Sequence, residues 1–278
     1  MPEDRDWTTQ GLDYEPPEID TSKAASARIY DYLLGGKDNY PPDREAAEQA
    51  IKLSPAVLAT ARQNRLFMLR AARYVAAAGI SQFLDIGTGI PTSPNLHEVV
   101  QGINPAARVV YVDNDPIVLA HAHARLTSTS QGRVAYIHAD LRDPGAVLEA
   151  PDLKDTLDFG QPVALSVLAV LHLITDHVET HELLRRYLAP LAAGSYLVLS
   201  ATTKDGFPTE AANEVEEMLR ARGVPILNRT RAEVTALFDG LELVEPGVVF
   251  GNRWRPEPGS PDALRTDVGF YAGVARKP

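Results

Sequence analysis

Gln82-Phe83-Leu84-Asp85-Ile86-Gly87-Thr88-Gly89-Ile90-Pro91-Thr92-Ser93-Pro94 is the stretch around which the rest of the chain arranges itself. Strand-forming Phe83, Leu84 and Ile86 run into two glycines, and the Ser and Pro beyond them are residues that open a helix. The segment predicts a strand, a tight turn and a helix N-terminus, the ligand-binding unit of a parallel α/β sheet. Gly87 and Gly89 lack a Cβ, which frees the backbone for positive φ and lets a ligand lie against the main chain. An ordinary βα turn would use the same two glycines. Thr92 stands where a dinucleotide fingerprint needs its third glycine. Pro91, Pro94 and Pro105 also remove N–H groups of the kind a pyrophosphate uses at a helix start. A ligand with one carboxylate and no phosphate is less demanding, and a nicotinamide oxidoreductase is disfavoured.

The chain has 278 residues, 45% hydrophobic and 23% charged, the balance of an ordinary globular protein. Its length suits one large α/β domain with a small appendage. A net charge of −10 argues against nucleic-acid and anionic-membrane partners, which need a basic footprint. The absence of cysteine excludes disulfides, thiolate zinc sites and cysteine nucleophiles. No apolar run is long enough for a membrane span, and Met1-Pro2-Glu3-Asp4-Arg5 lacks the regions of a signal peptide. A cytoplasmic location is expected.

Residues 1–21 are polar, acidic and proline-containing, and read as an arm. Residues 22–79 read as a helical cap. Ala24, Ala27, Ile29, Tyr30 and Leu33 suit a short helix stopped at Gly35-Gly36, a second helix runs from Arg44 to about Leu53, and a third begins at Pro55. Phe67, Ala71, Tyr74 and Ala78 repeat at helical spacing along the third, with Arg62, Arg65, Arg70 and Arg73 on its other face. From residue 80 strands alternate with helices. Strands are predicted near 82–86, 108–113, 134–138, 163–168, 195–200, 242–249 and 268–275. Helices are predicted near 94–102, 116–127, 143–150, 176–190, 208–222 and 231–239, the last with a Thr230/Glu233 capping box. This order implies a doubly wound, seven-stranded, mostly parallel sheet over 80–278. Residues 250–267 are too irregular for a crossover helix, so the final strand is expected to be antiparallel.

The second strand ends at Asp113, followed by Asn114-Asp115-Pro116. A carboxylate there, beside the glycine turn, can accept both hydroxyls of a ribose. Asp115 suits the N-cap of the helix opening at Pro116, a role Asp113 could also fill. The third strand leads into Ala139-Asp140-Leu141, where a carboxylate and the next backbone N–H can read an adenine edge, while Asp143 before Pro144 fits a helix cap.

These residues together resemble a class I S-adenosylmethionine-dependent methyltransferase: Asp85-Ile86-Gly87-Thr88-Gly89, Asp113 closing strand two, and Ala139-Asp140-Leu141 after strand three. The apolar run from Val163 to Leu173, with Val170-Leu171-His172, resembles that superfamily's fourth strand and its sequel. Ala27-Arg28-Ile29-Tyr30-Asp31-Tyr32-Leu33-Leu34-Gly35-Gly36-Lys37-Asp38-Asn39-Tyr40, with Ala61-Arg62-Gln63-Asn64-Arg65, is similar to the actinobacterial DUF574 family of methyltransferases. The resemblance implies that S-adenosylmethionine binds across the ends of strands one to three. Asp85, Gly87, Thr88 and Gly89 would surround its methionine end, Asp113 its ribose, and Asn114, Asp140 and Leu141 its adenine. Two departures stand out: Pro91 replaces the third glycine of the first motif, and Pro162 stands where an acid often enters strand four.

Methyl transfer asks the protein mainly to align the reactants and exclude water, and a base is needed only where the acceptor must lose a proton. His172 is the candidate for that base, because an unperturbed imidazole titrates near neutrality, although a histidine there can equally be a packing residue. No metal site is expected, since His177 and His181 with Asp176 make a poor ligand set. Tyr30, Tyr32 and Tyr40 around the Gly-Gly hinge are candidates for a lid lining the acceptor pocket. Asn64 and its neighbouring arginines are candidates for the methionine carboxylate. The reading is a methyltransferase acting at oxygen or nitrogen of a small-molecule acceptor. Its alternative is a non-catalytic protein that binds S-adenosylmethionine or S-adenosylhomocysteine.

Overall fold

Period-two alternation along β1 (Gln82–Ile86) divides the core in the computed structural model, which describes residues 19–125 and 128–278. Leu84 and Ile86 face one layer and Phe83 the other, because successive strand side chains point to opposite faces. On one side of β1 lie β2 (Arg108–Asp113) and β3 (Arg133–His138). On the other lie β4 (Ala164–Leu168) and β5 (Tyr196–Thr202), all parallel. Both neighbours pair with Leu84, through Val110 and Leu165, so β1 is central. The order is β3-β2-β1-β4-β5-β8, with β8 (Phe270–Arg276) antiparallel to β5.

The outer edge of β8 departs from expectation. In place of one strand over 242–249 it carries β6 (Glu242–Leu243) and β7 (Val249–Phe250), which makes eight strands among the described residues. Pro246 has no N–H to offer a ladder, and Gly247 turns the chain at φ +79° with its N–H on the Val244 carbonyl, 2.9 Å away.

The N-terminal helices are α1 (Ser26–Leu33), α2 (Pro41–Leu53) and α3 (Ala56–Ala77). α2 begins three residues earlier than expected, because Pro41 and Pro42 fit the first helical positions and Asp43 accepts from the Tyr40 N–H at 2.8 Å. The other oxygen of this fully buried Asp43 accepts from the Ala25 N–H at 2.8 Å, tying the starts of α1 and α2 together. α3 buries Phe67, Ala71, Ala72 and Val75 with Phe83, Val109 and Val274 of the sheet. Its arginines are not a uniform solvated face. Arg73 reaches Glu257 at 3.9 Å on the surface, whereas Arg70 donates to the carbonyls of Trp254 and Gly251. That pair of bonds anchors the irregular 250–267 segment, whose Trp254 is fully buried edge-on to Phe67 and Tyr74.

The crossover helices are α4 (Leu96–Ile103), α5 (Pro116–Arg125), α6 (Pro144–Glu149), α7 (Pro151–Thr156), α8 (His177–Leu188), α9 (Thr209–Ala221) and α10 (Arg231–Ala236). The single helix expected over 143–150 is followed by a second, which Pro151 opens. Asp143 accepts from Ala146 N–H as the cap of α6, and Thr230 with Glu233 boxes the start of α10. α1 and α2 pack on α9 through Ile29, Ala46, Ala50, Val215 and Leu219. The cap is thereby joined to the helix after β5, a partnership outside the sequence expectation. Residues 1–18 of the expected arm lie outside the described residues. Among the described residues no helix is long and apolar enough to cross a membrane.

Candidate functional site

The parallel strands end at a cavity of about 480 Å³, roofed by α1, α3 and α9, and within the roughly 300–1,000 Å³ usual for small-molecule sites. Gly87 and Gly89 enter it at φ +72° and +68°. A Cβ on Gly89 would meet nothing within 4 Å, whereas one on Gly87 would lie 2.5 Å from Val170 Cγ2. The first glycine therefore lets the turn close on the β4 loop, and the second leaves main chain open to the cavity.

Asp113 sits beside this turn. One oxygen accepts from Gly89 N–H at 2.8 Å and the other from Asp115 N–H at 2.9 Å. Burial pushes its carboxyl upward, against the pull of those bonds. Asp115 caps α5, accepting from Ile117 N–H at 3.1 Å, and also takes a buried two-pronged ion pair from Arg28 at 3.0 and 3.1 Å. Sequence reasoning missed that Arg28 role, although the residue lies inside the N-terminal motif. At the next strand end Asn114 Nδ2 donates to Asp140 at 3.3 Å, and Asp140 also accepts from Arg142 N–H at 2.8 Å. Leu141 lines the cavity beside them.

Above the turn, Arg65 donates to the Thr92 and Pro94 carbonyls, while its buried Nε has no partner in the protein. Asp85 lies on the same wall. Burial pushes its carboxyl up to about 6, offset in part by a Thr88 hydroxyl bond and by the Arg65 charge. Asn64 is buried in a chain that joins three elements: its amide donates to Tyr30 Oη at 2.9 Å, its oxygen accepts from Ser200 Oγ at 2.6 Å, and Tyr30 Oη donates to Ala61 O at 3.1 Å. Ser200 Oγ also holds the N–H of Ala169 at 3.0 Å. Ala169 lies in the left-handed region at φ +50° on the cavity wall, a conformation that surrounding structure must impose on a residue with a Cβ.

The candidate tyrosines separate. Tyr30 lines the cavity. Tyr32 instead donates to Glu48 at 3.0 Å near the surface, and Tyr40 packs under the Arg28 guanidinium and against Ile117. Neither reaches the cavity, because α1 and the turn after it direct them toward α2 and α5.

His172, on a short 3₁₀ turn (Leu171–Leu173) after β4, also lines the cavity. Burial and the neighbouring Arg229 cation push its imidazole down to about 4, and Nδ1 has no partner. The near-neutral titration expected for a general base is therefore corrected. The ring is uncharged at neutrality and a weak base, since efficient proton acceptors titrate near the working pH. Asp176 caps α8 through Glu179 N–H, and His177 faces Glu233 at 3.7 Å. Among the described residues no three His, Asp or Glu gather as metal ligands.

The sheet order and the cavity at its carboxyl edge define a class I, Rossmann-like methyltransferase fold. A family model described as S-adenosyl methyltransferase matches residues 13–278, and the chain belongs to that family, whose cofactor is S-adenosylmethionine. It is similar to the structure of a DUF574 family protein from Streptomyces avermitilis, with 49% identity, TM-score 0.91, and 94% of this chain and 100% of that chain covered. It is also similar to a candidate methyltransferase from Thermobifida fusca, with 41% identity, TM-score 0.86, and coverage of 95% and 98%. The plantazolicin methyltransferase BpumL shares the fold alone, at 12% identity and TM-score 0.50 over 91% of this chain and 96% of that one. No curated protein matches the chain. The residues present fit the cofactor, with open main chain at Gly89, a buried carboxylate closing β2 and an unpartnered guanidinium nitrogen on Arg65.

Proposed function

We propose that the protein methylates a small-molecule acceptor at oxygen or nitrogen, with residues 22–79 acting as the cap over a catalytic domain formed by 80–278. The observation that carries this reading is the meeting, in one cavity, of the glycine turn, the strand-end carboxylates and a largely apolar helical wall. In this reading Asp113 receives the ribose hydroxyls, Asp140, Asn114 and Leu141 hold adenine, and Gly87 to Gly89 lie along the methionine end. Arg65 faces the methionine carboxylate, Asn64 fixes its neighbourhood, and Asp85 faces the ammonium. S-adenosylmethionine supplies an electrophilic methyl group on a sulfonium. What the chain itself contributes is alignment and exclusion of water by α1, α3 and α9. His172, neutral and weakly basic, orients an acceptor rather than strongly deprotonating it. Calorimetric titration with S-adenosylmethionine, S-adenosylhomocysteine and NAD tests the site: micromolar binding of the first two without NAD is expected. Silence from both sulfur ligands would overturn it.

A further inference from the structure

Ala169 is the first residue past the β4 ladder, whose last pair joins Leu168 to Ser200. It lines the cavity at φ +50°, a region where a Cβ crowds the following carbonyl and the backbone relaxes unless something holds it. A chain of hydrogen bonds with one direction throughout supplies that hold. Ala169 N–H donates to Ser200 Oγ at 3.0 Å, and Ser200 Oγ to Asn64 Oδ1 at 2.6 Å. Asn64 Nδ2 then donates to Tyr30 Oη at 2.9 Å, and Tyr30 Oη to Ala61 O at 3.1 Å. Alternation along β5 puts Ser200 on the α3 side with Val198, opposite Leu199 and Ala201. A buried serine there costs stability unless its hydroxyl is bonded, and both its hydrogen and its oxygen are used.

The segment after Ala169 is held from two sides. Val170 is buried, and its Cγ2 would stand 2.5 Å from a Cβ on Gly87, so its methyl occupies the space the glycine leaves. Beyond it, the fully buried Arg229 guanidinium donates to Leu171 O at 2.9 Å, Ile174 O at 3.0 Å and Thr180 Oγ1 at 2.7 Å. Ala169 is the joint at which β4 turns toward the glycine loop.

Resting on the cofactor reading, we infer that Ser200 and Asn64 are positioning residues: they keep Ala169 left-handed and so seat Val170 on the glycine turn that faces the methionine end of the cofactor. They act through the backbone of the β4 turn. Tyr30 belongs to α1 and Asn64 to α3, so the same chain ties the shape of that turn to the docked cap.

A mutant cycle between positions 200 and 169, read in two ways, tests this. Glycine takes positive φ without the Cβ penalty, so it removes the need for a holder. Ser200→Ala should weaken S-adenosylhomocysteine by about tenfold, because the ligand must then restore a conformation that Ala169 has left. In an Ala169→Gly background the same substitution should weaken it by no more than about twofold. Asn64→Leu, which takes the acceptor from the Ser200 hydroxyl, should show the same relief by glycine. Urea unfolding without ligand should show it again, as a smaller drop in midpoint for Ser200→Ala in the Ala169→Gly background than in the unmodified one. A merely structural serine would cost the same in both backgrounds. Ser200→Cys, near in size with a weaker donor and acceptor, gives the same cycle if Ser200→Ala does not fold. Unchanged affinity in Ser200→Ala, or a penalty undiminished by Ala169→Gly in either reading, would overturn the inference. Failure of S-adenosylhomocysteine to bind the unmodified protein would instead sink the cofactor reading, and the urea cycle would still decide whether Ser200 and Asn64 hold Ala169.

Discussion

Gly87→Ala and Gly89→Ala change neighbouring glycines of one turn, yet the structure assigns them different outcomes. Both residues hold positive φ, +72° and +68°, so either alanine carries a backbone cost of about 1–2 kcal/mol. At Gly89 nothing more is added, because the new Cβ meets no atom within 4 Å. At Gly87 the Cβ would lie 2.5 Å from a Val170 methyl, and Val170 is itself buried. Overpacking of that kind adds about 1–3 kcal/mol, for a total near 2–5 kcal/mol. Urea unfolding should separate the variants by that increment, and melting should follow at roughly 2–4 °C per kcal/mol. The double variant Gly87→Ala/Val170→Ala should recover the increment as a coupling energy. Gly89→Ala should instead weaken S-adenosylhomocysteine by about tenfold or more, since its methyl projects where main chain is left open. Equal stability losses with no coupling to Val170, or unchanged affinity in Gly89→Ala, would refute the division of labour.

Asp113→Ala should weaken S-adenosylhomocysteine by about 1.5–3 kcal/mol, the worth of hydrogen bonds to a charged group; calorimetry showing unchanged affinity would remove Asp113 from the ribose site. Arg28→Ala should destabilise the protein by about 3–5 kcal/mol in urea, because Asp115 is left as a buried unpaired charge, and a loss below about 1 kcal/mol would contradict that. Asp85, with its carboxyl pushed up from 3.8 to about 6, holds its proton more firmly folded than unfolded. Its favourable contribution is complete below about pH 4 and is lost as pH rises through about 6. Asp85→Asn, which cannot ionise, should therefore gain stability relative to the unmodified protein across that window and keep a constant margin above it. A margin independent of pH would show that Asp85 is not held in the buried, raised state.

The strand ends were legible because alternation and turn chemistry are local: Phe83 to Gly89 reads as strand and turn without knowledge of any partner. The same holds for Asp143 before Pro144, and for Thr230 with Glu233. The break between β6 and β7 was also written locally, in Pro246 and Gly247, but the apolar residues on either side read as one run. The helical wall was not legible, because it depends on α9 meeting α1 and α2, and periodicity reports that a face is buried without saying against what. Arg229 and Trp254 show the same limit. Their polar groups are satisfied or enclosed by segments far along the chain, and a sequence offers no measure of that approach. That Tyr32 and Tyr40 stand outside the cavity lining was hidden for a related reason, since residues on one helix and its turn point in directions that only packing decides.

Arg28 and Asp115 are 87 positions apart, and the N–H of Asp115 reaches the Asp113 carboxylate that also holds Gly89. The docking contact of α1 and the strand-end carboxylate thus belong to one hydrogen-bonded network, joined through Asp115. Linkage then demands reciprocity: if docking raises the ligand's affinity by some factor, the ligand raises the docking constant by the same factor. Amide exchange in α1, compared with and without ligand, would read that factor from the far side of the ion pair.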